Sequence, residues 1–388
     1  MTPEVSAGGL LELVRTGRAG TRTELAQATG LSRTAVVTRV TALLDAGLLL
    51  AGEERASTGG RPPASLVFHN RAGVVLAAAV GRSRTQLGVF DLDGQELAGV
   101  WSDHEVGVGP EELMPQVAGR LRALLDGVEP RVVAVGMSLS GTVDPERVMS
   151  VDSPVMRGWD GVPLAPYLAE VTDAPVHLAN DASALATSEL LGQPDPPREA
   201  LVLKASTGLG LGIIAGGEVL HGAGGATGEM GHSKHSAAVG LTCRCGASGC
   251  LETIAGGWAL VQRLQESAPE LGAGHVRDLV RLALDGDPVA RGLLIESSRH
   301  VGDLLANAVN LLNPEVVVIG GDMGGAFDLY VAGVRQQVYA NAAAMNTRDL
   351  VFRPAAHGDR AGLLGCAAIA IEAVLAPAAV DAFLASRP

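Results

Sequence analysis

Three cysteines fall within eight positions, in Cys243-Arg244-Cys245-Gly246-Ala247-Ser248-Gly249-Cys250, and His232 precedes them in Gly228-Glu229-Met230-Gly231-His232. Three thiolates and one imidazole make a closed tetrahedral set for Zn2+, and the glycines between the cysteines let the loop turn tightly enough for the sulfurs to converge. A closed set has no position left for a catalytic water. The expected zinc is therefore structural, a pin through a loop at 232–252 with ligands His232, Cys243, Cys245 and Cys250. His235 competes with His232 for the fourth place. The remaining cysteine, Cys366, sits in apolar Leu363-Leu364-Gly365-Cys366-Ala367-Ala368-Ile369 and reads as a small buried side chain. The chain of 388 residues has four cysteines, no signal-peptide pattern and no apolar run long enough to cross a bilayer. These features point to a cytoplasmic protein without a membrane partner, and in a reducing compartment such a cysteine group binds metal rather than forming bridges.

Charge separates the chain into parts. The first 70 residues carry seven arginines against six carboxylates, a balance of +1, so the remainder holds −14 of a chain total of −13. Acidity on that scale repels a phosphate backbone, which confines any nucleic-acid contact to the N-terminal segment. That segment has its own pattern. Ser6 caps a first helix carrying Leu10, Leu11, Leu13 and Val14, which ends at glycines 17–20. Thr23 is the expected cap of a short second helix, Gly30 makes a turn, and Ser32 caps a longer helix to Asp45 with Val36, Val40, Leu43 and Leu44 at helical spacing. This is a helix-turn-helix, which presents Ser32, Arg33, Thr34, Val37, Thr38 and Arg39 to a major groove. A strand from Gly47 leads into a wing and linker at 51–70, where Arg61 is placed to enter a minor groove. The plainer alternatives are a helical protein-interaction module and, for Arg61, a solvated linker arginine.

From Ala72 onward strands and helices alternate in an α/β pattern. Strands are expected at 74–80, 85–90, 131–136, 176–178, 201–204 and 316–319, with helices at 111–125 and 182–191 and a hairpin turn at Asp91-Leu92-Asp93-Gly94. Two hairpin-led lobes follow, 71–185 and 186–388, with a sugar or nucleotide cleft between them and the C-terminal helix packed back on the first lobe. The loop Ser206-Thr207-Gly208-Leu209-Gly210-Leu211-Gly212 presents backbone amides as a phosphate cradle requires, although a tight turn alone accounts for its glycines.

Taken together, the helix-turn-helix, the two lobes, Asn180-Asp181, Glu229-x-Gly231-His232, the cysteine run closing on Glu252 and Val318-Ile319-Gly320-Gly321 resemble the ROK family of repressors, open reading frames and sugar kinases. The resemblance implies a winged helix-turn-helix followed by a two-lobed actin-like, ribonuclease-H-like sugar kinase fold, in the repressor branch. It implies that Asp181 stands at the position of the kinases' general base, that Asn180, Asp181, Glu229, His232 and Glu252 bind sugar, and that Thr207, Gly208, Gly210, Gly320 and Gly321 hold any phosphate. The bland readings are a helix cap for Asp181 with Asn180 and support of the metal ligands for Glu229 and Glu252.

Departures from the family pattern bear on the branch. Where the kinases carry Asp-x-Gly-x-Thr, this chain has Ala79-Val80-Gly81-Arg82-Ser83, so the metal-organising carboxylate is absent and a bulky Arg82 enters the loop. Ser206 replaces a glycine, Ser140 a proline, and Val155 stands where many members have a sugar-binding Asn. The expected function is a sugar-responsive transcriptional repressor, a homodimer or dimer of dimers, with double-stranded operator DNA and a small sugar or sugar phosphate as partners. The alternative is a sugar kinase carrying a DNA-binding head, which would use ATP and Mg2+. A third reading is a DNA binder with a vestigial cleft.

Overall fold

The computed structural model describes residues 5–54, 64–151, 156 and 158–387. Arg61 with the rest of 55–63, and Val155, lie outside the described residues.

Three helices open the chain, α1 (Ala7–Arg15), α2 (Arg22–Thr29) and α3 (Arg33–Asp45), and the antiparallel ribbon β1 (Leu49–Glu54) and β2 (Ala64–Phe68) follows. Ser6 caps α1 by accepting from the Gly9 N–H, and Ser32 caps α3 by accepting from Ala35 at 3.2 Å. The cap of α2 is Thr21 and not Thr23: its extended backbone, φ −142°, lets its hydroxyl accept from the Glu24 N–H at 3.2 Å, whereas Thr23 already lies in the first turn. Gly30 takes φ 72°, the left-handed conformation that turns the chain from α2 into α3 without strain on a Cβ. Leu10, Leu25, Val36, Val40, Leu43 and Leu49 close a small core between these elements.

The first α/β lobe runs β3 (Val74–Val80), β4 (Arg84–Asp91), β5 (Glu96–Asp103), α4 (Pro110–Leu124), β6 (Val132–Leu139), a short ribbon of β7 (Val143–Asp144) and β8 (Met149–Ser150), α5 (Ala165–Leu168), β9 (Val176–Asn180) and α6 (Asp181–Ser188). The second runs β10 (Ala200–Ala205), β11 (Leu209–Ala215), β12 (Glu218–Val219), α7 (Glu252–Ala255), α8 (Gly257–Ser267), α9 (Val276–Leu284), α10 (Pro288–Leu312), β13 (Val316–Gly320), α11 (Phe327–Asn341), α12 (Ala344–Thr347) and β14 (Val351–Pro354). Two helices close the chain, α13 (Ala361–Leu375) and α14 (Pro377–Ala385).

The two five-stranded sheets repeat one topology, β5-β4-β3-β6-β9 and β12-β11-β10-β13-β14. In each, an antiparallel meander of three strands is extended by two parallel strands. Both faces of the parallel part are covered, so its strands read as apolar runs without a polar face. Alternation sorts β3 between two layers: Val74, Leu76, Ala78 and Val80 pack toward α4, while Val75 and Ala77 pack toward α13. On β10, Leu201, Leu203 and Ala205 face the α8–α11 layer, and Ala200 and Val202 face α6.

Helices α6 and α13 therefore lie between the sheets, and α13, last but one in the chain, packs on β3 and β6 of the first lobe. Small residues make that approach possible: a Cβ at Gly136 would overlap the Cys366 carbonyl oxygen. Cys366 is fully buried, with its Sγ 3.3 Å from the Ser138 hydroxyl, and burial pushes its thiol up to about 12. The N-terminal module reaches this layer through α14, where the Gly8 N–H donates to Asp381 Oδ1 at 2.9 Å. Among the described residues no single helix is long and apolar enough to cross a membrane.

Candidate functional site

The carboxyl ends of β3, β6, β9, β10 and β13 converge on one cleft between the lobes, the position where open α/β sheets leave a crevice. Its lining includes Ala79 to Arg84 from the β3–β4 turn, Ser140 and Gly141 after β6, Asn180 and Asp181 at the β9–α6 junction, and Lys204 with 206–210 from the second lobe. Glu229, His232, Glu252, His275, Arg277, Gly321 and Asp322 complete it.

Asp181 is the first residue of α6, and Asn180 caps that helix by accepting from the Ala182 and Ser183 N–H groups at 2.8 and 3.0 Å. The cap fixes the Asn180 oxygen and leaves the Asp181 carboxylate at the cleft wall. There it accepts from the Ser140 hydroxyl at 2.8 Å and faces the Lys204 ammonium at 3.0 Å, with both side chains of the pair about four-fifths buried (21% and 23% exposed). Glu229 accepts from Thr142 Oγ1 at 3.4 Å, and burial raises its pKa above the usual carboxylate range. Glu252 is almost wholly buried and its two oxygens already hold the Leu209 N–H at 3.1 Å and the Trp258 indole at 2.9 Å. A carboxylate so placed organises the glycine loop as well as the cleft floor.

Thr207 and Gly208 lie in the β10–β11 turn at the cleft, Gly210 lines it from β11 opposite Lys204, and neither the Thr207 nor the Gly208 N–H donates to another group among the described residues. Gly321 also lines the cleft. Gly320 does not: it ends β13 opposite Lys204, where a side chain would press on Leu185 and Ala355, so its requirement is packing.

Nδ1 and Sγ atoms of His232, Cys243, Cys245 and Cys250 come within 4.8 Å of one another. The Cys245–Cys250 sulfur separation is 3.8 Å and His232 Nδ1 lies 3.7 Å from Cys243 Sγ. A tetrahedron with bonds of roughly 2.3 Å has edges of about 3.8 Å, so the donor set suits an ion of that kind. The loop is tight because Cys243 N donates to Ala247 O at 2.7 Å and Gly246 N to Cys243 O at 3.0 Å. The other ring nitrogen of His232 points to Glu229, 3.9 Å away. His235, the competing fourth ligand, lies apart with His300 and Asp303.

On α3, Ser32, Arg33, Thr34, Val37 and Thr38 are exposed along one face, opposite buried Val36 and Val40. Arg39 is half-buried and folds back along the helix, its Nη1 3.5 Å from the Ala35 carbonyl.

Sequence reasoning passed over Lys204, Thr142, Lys234 and His275. Lys204 left a signal, an ionisable residue in the otherwise apolar strand Leu201-Val202-Leu203-Lys204-Ala205. Lys234, whose ammonium lies 3.2 Å from Cys250 Sγ, and His275, which reaches Ser83 Oγ at 3.1 Å from the other lobe, left none, because both depend on long-range placement.

Residues 75–373 match the ROK family model. The xylose repressor of Caldicellulosiruptor bescii is 25% identical over 379 residues, covering 91% of this chain and 92% of its own. A glucokinase of Halalkalibacterium halodurans is 31% identical over 247 residues, covering 60% of this chain and 74% of its own. Among solved structures, a ROK family transcriptional regulator described as a homolog of the E. coli MLC protein superposes with a TM-score of 0.81 at 24% identity and covers 99% of both chains, a likeness of fold.

Proposed function

Because this chain belongs to the ROK family, we propose that it is a sugar-responsive transcriptional regulator of the repressor kind, which binds operator DNA through α3 and a sugar or sugar phosphate between the lobes. The reading is carried by one coexistence: an exposed polar helix face stands on a module outside the family-matched residues, and the cleft that accompanies it is lined by Ala79 and Arg82 at the end of β3. Likeness to the xylose repressor supports it, since a match over 91% of the chain cannot leave the N-terminal module out.

The cleft residues suit holding more than reacting. Asp181, Glu229 and Glu252 supply carboxylate acceptors for ligand hydroxyls, but Asp181 is neutralised by Lys204 and the first turn offers Ala79 where a metal-organising carboxylate is needed. Phosphoryl transfer depends on charge neutralisation around Mg2+, and Ala79 supplies no carboxylate for it. Likeness to the glucokinase favours the second reading, a sugar kinase, and a coupled assay with ATP, Mg2+ and a sugar panel decides between the two.

Zn2+ is the ion we assign to His232, Cys243, Cys245 and Cys250, where it supplies cross-linking and no reaction step. The protein acts as a homodimer in this reading, since paired half-sites require a two-fold partner, and sugar binding alters the spacing of the two α3 helices. The test is a titration of DNA from upstream of the protein's own gene at fixed salt, with Arg33→Ala as the variant that loses DNA binding. If no sugar or sugar phosphate changes the affinity, the reading is wrong.

A further inference from the structure

Four lysine or arginine side chains line the cleft, and three of them are neutralised by carboxylates. Lys204 faces Asp181 at 3.0 Å, Arg84 faces Asp103 at 2.8 Å, and Arg277 reaches Asp103 at 3.3 Å and Asp322 at 4.0 Å. Arg82 differs. Its Nε is shut off from solvent with no hydrogen-bond partner, and its guanidinium forms no ion pair among the described residues. The carboxylate that acts on it from a distance is Glu252, whose oxygens are committed to Leu209 and Trp258. Arg244 stacks over the Trp258 ring at 4.3 Å. Burial lowers the pKa of Arg82.

On the other lobe, the Thr207 and Gly208 N–H groups open on the same cleft without acceptors among the described residues. An unpaired guanidinium fork together with unused backbone N–H groups has the donor chemistry of a site for a tetrahedral anion. The hydroxyl acceptors Asp181 and Glu229 line the same cleft, so one ligand bearing both hydroxyls and an anion would satisfy both sets. A nucleoside triphosphate fits less well, because Arg84 and Arg277 are already engaged and leave no unpaired cation for further phosphates.

We propose, resting on the sugar-binding reading above, that Arg82 with the turn at Thr207 and Gly208 forms a phosphate subsite, and that the ligand class is a phosphorylated sugar. Arg82, which spoils the turn for catalysis, thereby gives the cleft its ligand selectivity. The decisive measurement is calorimetric titration of the full chain, metal retained, with hexoses, N-acetylhexosamines and pentoses, with their phosphate monoesters, and with a hexuronate. One phosphate ester is expected to bind about 10- to 100-fold more tightly than its parent sugar, and in Arg82→Gln that ratio should fall toward one while the thermal midpoint stays close to that of the unaltered chain. Arg82→Lys, which keeps the charge and loses the fork, should fall between. A ratio untouched by Arg82→Gln, tighter binding of the hexuronate, or neutral sugars binding as well as their esters overturns the subsite while leaving the sugar site standing. Failure of every sugar and every ester to bind overturns both.

Discussion

At the scale of single residues, Asp181 and Lys204 set the character of the cleft. Their 3.0 Å pair is one-fifth exposed, so removing one partner strands the other in a poorly solvated place. Asp181→Asn should lower unfolding stability by ~1–3 kcal/mol, read by denaturant titration, and weaken ligand binding at least about tenfold in calorimetry. An unchanged affinity would remove Asp181 from the site. His275 gives a second prediction. Burial first, and then neighbouring Arg277, hold its pKa below 6.5, and its Nδ1 accepts from the Arg277 N–H at 3.1 Å while Nε2 meets Ser83. The unfolded chain takes up a proton before the folded one as pH falls through 6.5, so stability is lost on acidification in the window between 6.5 and the lower folded value. In His275→Asn the fall in melting temperature from about pH 7.5 to about pH 5.5 should be smaller than in the unaltered chain.

At the scale of elements, the metal loop and the head helices differ in what holds them. Two of the three cluster cysteines are buried, and the loop that carries them follows Glu229 closely and leads into Glu252. Chelation should therefore lower the melting temperature and weaken ligand binding together, with one Zn2+ per chain by elemental analysis. Retained ligand affinity after complete metal loss would separate the loop from the cleft. The helices of the head were legible in the sequence because Ser6, Gly30 and Ser32 are local signals with local effects. Thr21 was missed as a cap because several Thr and Asp residues compete near a helix start, and only the backbone decides among them. The cysteine spacing was legible for the same local reason. Lys204 opposite Asp181 and Arg277 on Asp103 were not, since each joins residues far apart in sequence.

At the scale of the whole molecule, the order of the two sheets and the place of α13 were beyond periodicity, which marks strands without saying which strand lies beside which. The resemblance to a known family supplied what periodicity lacked. One contact offers a route from cleft to head: α1 rests on α14, α14 follows α13, and α13 packs on β3, whose final turn carries Arg82. A Cβ at Gly8 would overlap the Pro377 backbone, so Gly8→Ala should disturb that contact. Ligand binding should persist in this variant while the ligand's effect on operator affinity shrinks, measured by repeating the DNA titration with and without ligand. An unaltered ligand effect would exclude this route. The placement of α13 also has a consequence in time. The sheet of the first lobe is made from residues 74–180, yet one of its faces is covered by residues 361–375. During vectorial synthesis that face stays bare until nearly the whole chain has emerged, so the first lobe and the head resting behind it are completed last, and a ribosome stalled in the second lobe leaves an exposed apolar sheet for chaperones to cover.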